Sequence, residues 1–110
     1  EWRQASRGKS KIIEKNTFEK FCLPNPDRNP AERYFTLGLD TPTVGQSQSG
    51  EKFSKNSIGH LGYSGTSFWW DLENDFWIIF LTNRWLEQKN PDLFKKFRPE
   101  LHDVIIDEIL

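Results

Sequence analysis

The apolar positions of this chain follow two periods, and both lie mainly in its second half. Aromatic and β-branched residues cluster from Thr66 to Asp71 and again from Phe76 to Thr82, and the Leu72-Glu73-Asn74-Asp75 segment between them is rich in turn formers. The pattern predicts two antiparallel strands joined by a tight turn, with a third strand expected at Ile58 to Gly62 completing a meander. Further on, Phe94, Phe97, Leu101, Val104, Ile105 and Ile109 recur at spacings of three and four, which is one face of a helix. Asn90 stands where a cap is wanted and Pro91 suits the first turn. The apolar phase runs on through Pro99, so a single helix kinked at that residue is expected, with Leu101, Val104 and Ile105 on the sheet. On this phase His102 falls on the polar side.

The first half is poorer in such signals. Glu1 to Arg7 reads as the end of a helix stopped at Gly8. A short second helix is expected from Lys15 or Asn16, capped by Asn16 or Thr17, with Phe18 and Phe21 one turn apart and the Pro24 to Pro30 stretch ending it. Arg33 to Asp40 reads as a strand closed by Thr41-Pro42. From Thr43 to Ser57 the residues turn to Gly, Ser, Gln and Lys without periodicity, which predicts a flexible loop. The fold class is therefore α/β in the α+β sense: an antiparallel sheet of about three to four strands with a packed C-terminal helix, residues 1–110 making up at most one domain.

Composition changes this picture in two ways. With only 35% hydrophobic residues and a mean hydropathy of -0.72, the core has to be aromatic, drawn largely from five Trp and nine Phe. With a net charge of -1 and no basic stripe interleaved with exposed aromatics, nucleic acid is excluded as a partner. The longest apolar run, Phe76 to Leu81, falls far short of the ~20 residues that cross a bilayer, so no membrane segment is expected. The N-terminus shows no signal-peptide pattern, and localisation stays open. The single cysteine, Cys22, excludes an internal disulfide and reads as a small apolar filler. No metal site and no cofactor are expected. There is no methionine, and Trp2 already lies in a helix-compatible segment, so the chain is expected to be a fragment that starts in mid-element.

Chemistry enters with the stretch Gly59 to Arg84, GHLGYSGTSFWWDLENDFWIIFLTNR. Glycine weakens a strand, and a cluster of them at a strand mouth marks a bulge or a close approach by another backbone or a ligand. The stretch resembles the third conserved box and following hairpin of the serine β-lactamase and penicillin-binding-protein superfamily, in its class C and esterase-like branch. The positions that carry the resemblance are His60, Leu61 and Gly62 for the box, Tyr63 after it, Gly65-Thr66-Ser67, Trp69, Asp71, and Leu81 to Arg84. Weaker resemblance covers Lys11 to Leu39 and Phe97 to Asp103.

The resemblance implies a portion of the β-lactamase/transpeptidase-like fold and a serine hydrolase acting on small-molecule esters, amides or β-lactams through an acyl-enzyme. It implies that the backbone N–H of Tyr63 is one oxyanion-hole donor and that His60, Leu61 and Gly62 bind substrate. His60, standing where many relatives carry Lys, would place charge beside a substrate carboxylate or leaving group. Leu61 departs from the usual hydroxyl residue, which shifts the expectation from β-lactams and D-alanyl peptides toward broader esters and amides, or toward lost activity. The nucleophile and its base are expected in a missing N-terminal part of the same domain, and the apolar Phe76 to Leu81 strand is expected to be covered by another segment or chain. Two local strings fit Ser-x-x-Lys, Ser6 to Lys9 and Ser49 to Lys52, but neither sits at the start of a buried helix, where lysine would lose solvation and act as a base. Two alternatives stand beside this reading: a non-catalytic homologue, and a carbohydrate or cell-wall binding module presenting coplanar, exposed tryptophans.

Overall fold

The structure, a computed structural model, describes residues 1–84 and 91–110. Two short helices, α1 (Trp2–Ser6) and α2 (Lys15–Cys22), precede three strands, β1 (Ile58–Leu61), β2 (Ser67–Asp71) and β3 (Phe76–Phe80), and a long helix, α3 (Pro91–Ile109), follows. The strands form one antiparallel sheet in the order β1-β2-β3, with Gly59 opposite Trp69 and Trp69 opposite Ile78. The meander is the one that the alternation predicts.

Both faces of this sheet are covered, as the run of consecutive apolar residues in β2 requires. Ile58 and Trp70 on one face pack with Ala5 of α1, Phe18 of α2 and Leu39, while Trp2, Phe68 and Trp77 close that cluster from its margin. Trp70 and Trp77 stack across the β2–β3 pair at 4.6 Å. On the other face Trp69 and Ile78 pack with Phe53 and with Ile106 of α3. The core is thus two aromatic layers back to back, and the successive residues Trp69 and Trp70 belong to different layers because side chains alternate across a strand. At the other side of the sheet β3 is an edge, where Ile79 stands 63% exposed.

The connections are held by side-chain hydrogen bonds. Asp71, fully buried at the end of β2, accepts from the N–H groups of Glu73 and Asn74 at 3.0 and 2.9 Å, an Asx turn that lets the chain reverse into β3. The segment from Thr43 to Ser57 is loop, as expected, but it is tied down. Ser54 donates its N–H and hydroxyl to Asp71, the N–H groups of Glu51 and Lys52 converge on Asp103 of α3, and Phe53 is in the core.

Several expectations need correction. Arg33 to Asp40 is not a strand: Thr36 accepts and donates across a tight turn to Leu39, leaving one bridge between Phe35 and Asp40. The polar loops around it supply no apolar face for a longer strand to bury. Helix α2 starts from Glu14 with no side-chain cap, and Asn16 and Thr17 lie inside it. Gly8 follows α1 at φ 68°, the left-handed geometry expected there. Helix α3 runs unbroken through Pro99, as its periodicity implied, but it is rotated from the predicted face. Ile105 packs against the Trp69 layer as expected and Leu101 is half-buried, but Val104 and Phe97 are exposed, whereas Arg98, His102 and Ile106 are buried. The expected cap at Asn90 lies outside the described residues. No helix among the described residues is long and apolar enough to cross a membrane.

Candidate ligand cleft at the sheet edge

Strand β1 is an outer strand, and its free side is closed for only part of its length. Gly59 exchanges both backbone hydrogen bonds with Asp40, at 2.8 and 3.0 Å. Beyond that bridge the strand runs into a cleft of ≈ 600 Å³ lined by Leu61, Gly62 and Tyr63, a size suited to a small organic ligand. The opposite wall comes from the 43–57 loop and the first turns of α3.

The structure brings together three of the four residues that the sequence singled out. Leu61, Gly62 and Tyr63 share the cleft; His60 does not. His60 lies opposite Phe68 and is exposed, and alternation along β1 puts it on the same face as Ile58, away from Leu61. Its charge acts on Asp40, whose carboxyl is pushed above its ordinary value by burial against the opposing pull of the Thr41 N–H and Arg33.

The glycines have an intramolecular cause. A side chain at Gly59 would run into the Trp69 ring and the Phe68 carbonyl, and one at Gly62 would strike the Thr66 hydroxyl within its own hairpin. The Gly62 N–H donates to the Thr66 carbonyl at 2.7 Å, which draws the two chains close. The resemblance implied close approach by a ligand; at Gly59 and Gly62 the approaching group is instead the adjacent strand.

What the sequence did not single out is the charge around the cleft. Among the described residues, Arg33, Arg84, Lys95 and Arg98 line it with Asp40 as the one carboxylate. Arg33 pairs with Asp40 at 3.6 Å and Lys95 with Asp92 at 3.3 Å. The Arg84 guanidinium lies over the Tyr63 ring, 5.3 Å from its centroid, and Arg98 lies over Phe94 at 4.8 Å. Arg98 is only 3% exposed, and its Nε has no hydrogen-bond partner among the described residues. Burial and the neighbouring Arg84 charge both push its guanidinium below the ordinary value. One turn along α3, His102 is fully buried with its Nδ1 at 3.0 Å from the Ser49 carbonyl. A carbonyl only accepts, so Nδ1 carries the proton and Nε2 is a bare acceptor, also without a partner.

Neither Ser-x-x-Lys string forms a dyad. The Ser6 hydroxyl donates to the Arg3 carbonyl, and Ser49 is buried with its hydroxyl engaged by Ser47 and the Gly50 carbonyl, while Lys52 pairs with Asp107. Trp69 and Trp70 are buried, so they present no exposed platform to a polysaccharide. Among the described residues no cluster of His, Cys, Asp and Glu has the makings of a metal site. No family model, no curated protein and no solved structure matches this chain.

Proposed function

We propose that this chain is the C-terminal part of a β-lactamase-like serine hydrolase domain, in which β1 is the strand against which an ester, amide or β-lactam lies. The observation that carries the reading is the cleft opening on the outer edge of β1 at Leu61, Gly62 and Tyr63. These are the residues that the resemblance assigns to the third box and the position after it. In this reading the Tyr63 N–H is one donor to the oxygen that becomes negative as a serine attacks the acyl carbon. The nucleophile and its base come from the part of the domain that precedes this chain. The covering of both sheet faces by helices is in keeping with such a domain. His60, on the other face, does not line the cleft.

The test is acylation of the complete polypeptide that carries this segment. A fluorophosphonate probe is expected to label one serine outside residues 1–110, located by peptide mass spectrometry, and a fluorescent penicillin to label the same serine more slowly or not at all. Tyr63→Pro, which deletes the N–H, is expected to slow labelling by about 10²- to 10³-fold, whereas Tyr63→Phe leaves it unchanged. No labelling, labelling at Ser6 or Ser49, or full-rate labelling of folded Tyr63→Pro refutes the proposal.

A further inference from the structure

Four polar side-chain atoms are buried between α3 and the sheet without a hydrogen-bond partner among the described residues: the Ser67 hydroxyl, the Trp69 indole N–H, the Arg98 Nε–H and His102 Nε2. None of these residues is more than 5% exposed. Their places in the fold bring them together. Ser67 and Trp69 are two apart on β2 and so share the face that Phe53 and Ile106 cover, and Arg98 and His102 are one turn apart on the inward stripe of α3. The Phe53 ring meets both the Trp69 and the His102 rings, at 5.9 and 6.0 Å. Toward the cleft, Ser67 stands opposite Phe80, whose ring stacks on Phe94, the ring beneath the Arg98 guanidinium. The four atoms thus fall into two pairs across one interface, Trp69 with His102 in the interior and Ser67 with Arg98 at the cleft end.

We propose that this interface binds two internal water molecules, one between the Trp69 N–H and His102 Nε2 and one between the Ser67 hydroxyl and the Arg98 Nε–H. The mixture of donors and acceptors selects water over an ion. His102 donates through Nδ1 to the Ser49 carbonyl, so its Nε2 can only accept, whereas the indole and guanidinium N–H groups can only donate. An anion between Trp69 and His102 would take the indole proton but face the imidazole lone pair, and a cation would face the indole proton. Water accepts from one member of each pair and donates to the other. A buried donor or acceptor left unmade is costly, and an internal water typically serves about two to four such groups. The hydrolase reading is not needed for this site, which lies between β2 and α3 and uses no acyl group or nucleophile.

The experiment is an atomic-resolution crystal structure of the complete polypeptide that carries this segment, with water-selected NOE and ROE spectra of it in solution. One ordered water is expected at about 2.7–3.2 Å from both Trp69 Nε1 and His102 Nε2, and a second at about the same distance from Ser67 Oγ and Arg98 Nε. The Trp69 indole proton is expected to show a water cross-peak of opposite sign in the two spectra, which marks a bound molecule, whereas proton exchange gives the same sign in both. Ser67→Ala is expected to lose the second water and keep the first. A dry interface, a direct bond from Trp69 to His102 or from Arg98 to Ser67, or an ion in either position overturns the proposal. So does an indole cross-peak that is absent or due to exchange alone, and retention of the second water in Ser67→Ala overturns its assignment to the Ser67 hydroxyl.

Discussion

Asp71 is the side chain on which the hairpin and the long loop both depend, and its replacement should be the most damaging single polar change in the sheet. The carboxylate receives the Ser54 N–H and hydroxyl, the Glu73 and Asn74 N–H groups and the Asn74 side-chain amide. Asp71→Ala strands three backbone N–H groups. Those of Glu73 and Asn74 lie in an exposed turn where water replaces the carboxylate, at about 0.5 kcal/mol each. The Ser54 pair, half-buried between loop and sheet, is worth about 2 kcal/mol. The sum is about 3 kcal/mol, a large share of the 5–15 kcal/mol by which domains are typically stable. Asp71→Asn keeps one acceptor oxygen but turns an amide N–H toward the Ser54 N–H, at about 1 to 2 kcal/mol.

Equilibrium urea unfolding at pH 7 reads these differences directly. The pH dependence adds an independent check. Burial pushes the Asp71 carboxyl up, but the bonds from Ser54 and Asn74 outweigh it, so the folded value lies below the ordinary 3.8. A depressed carboxyl stabilises the fold above its unfolded value, and that contribution is lost as pH falls through the folded value. The gap between parent and Asp71→Ala should therefore be constant above pH 5 and narrow below about pH 4. A loss under about 1 kcal/mol at pH 7, or a gap that widens in acid, would refute the assignment of Asp71 as an ionised acceptor.

Two further predictions concern packing and titration. Gly59→Ala should cost about 1 to 3 kcal/mol and alter the near-ultraviolet circular dichroism, because its methyl has to displace the Trp69 ring; an unchanged spectrum and stability would refute that contact. Burial and the Arg98 charge depress the His102 imidazole against the hydrogen bond to Ser49, so stability should begin to fall as pH drops below the ordinary 6.5. A His102→Asn variant should lack that decline between pH 6.5 and 5, and an identical pH profile in parent and variant would refute the prediction.

The sheet was legible in the sequence because its signal is local. Phe68, Trp69 and Trp70 can only be accommodated together in a strand with two covered faces, and the Asp71 to Asp75 turn carries its own hydrogen-bonding chemistry. Arg33 to Asp40 misled for the converse reason. Its Tyr34, Phe35 and Leu37 have strand propensity, but Thr36 and Gly38 favour a turn, and Leu37 ends 68% exposed with nothing to pack against. The 43–57 loop gave no periodic signal because its order comes from partners far along the chain, Asp71, His102 and Asp103, which no local window contains.

The cleft was half visible for the same physical reason. Leu61, Gly62 and Tyr63 belong to one short stretch, so a local motif picks them out. Arg98 and His102 do not, because a helix face chosen by apolar residues assigns cations and imidazoles to solvent. On α3 that choice is turned by about one residue, close to 100° of helix rotation. The apolar positions Phe97, Val104 and Ile109 remain exposed, while the stripe through Arg98, His102 and Ile106 faces inward. The inward stripe is selected by what crosses it. The loop at Ser49 to Lys52 offers a carbonyl to His102 and two N–H groups to Asp103, and polar backbone of this kind needs polar partners on the helix once water is excluded. Rotating α3 to bury Val104 would strand those backbone groups against an apolar surface. The helix is thus set by hydrogen bonding to the loop as much as by packing on the sheet, and the same rotation carries Arg98 into the cleft.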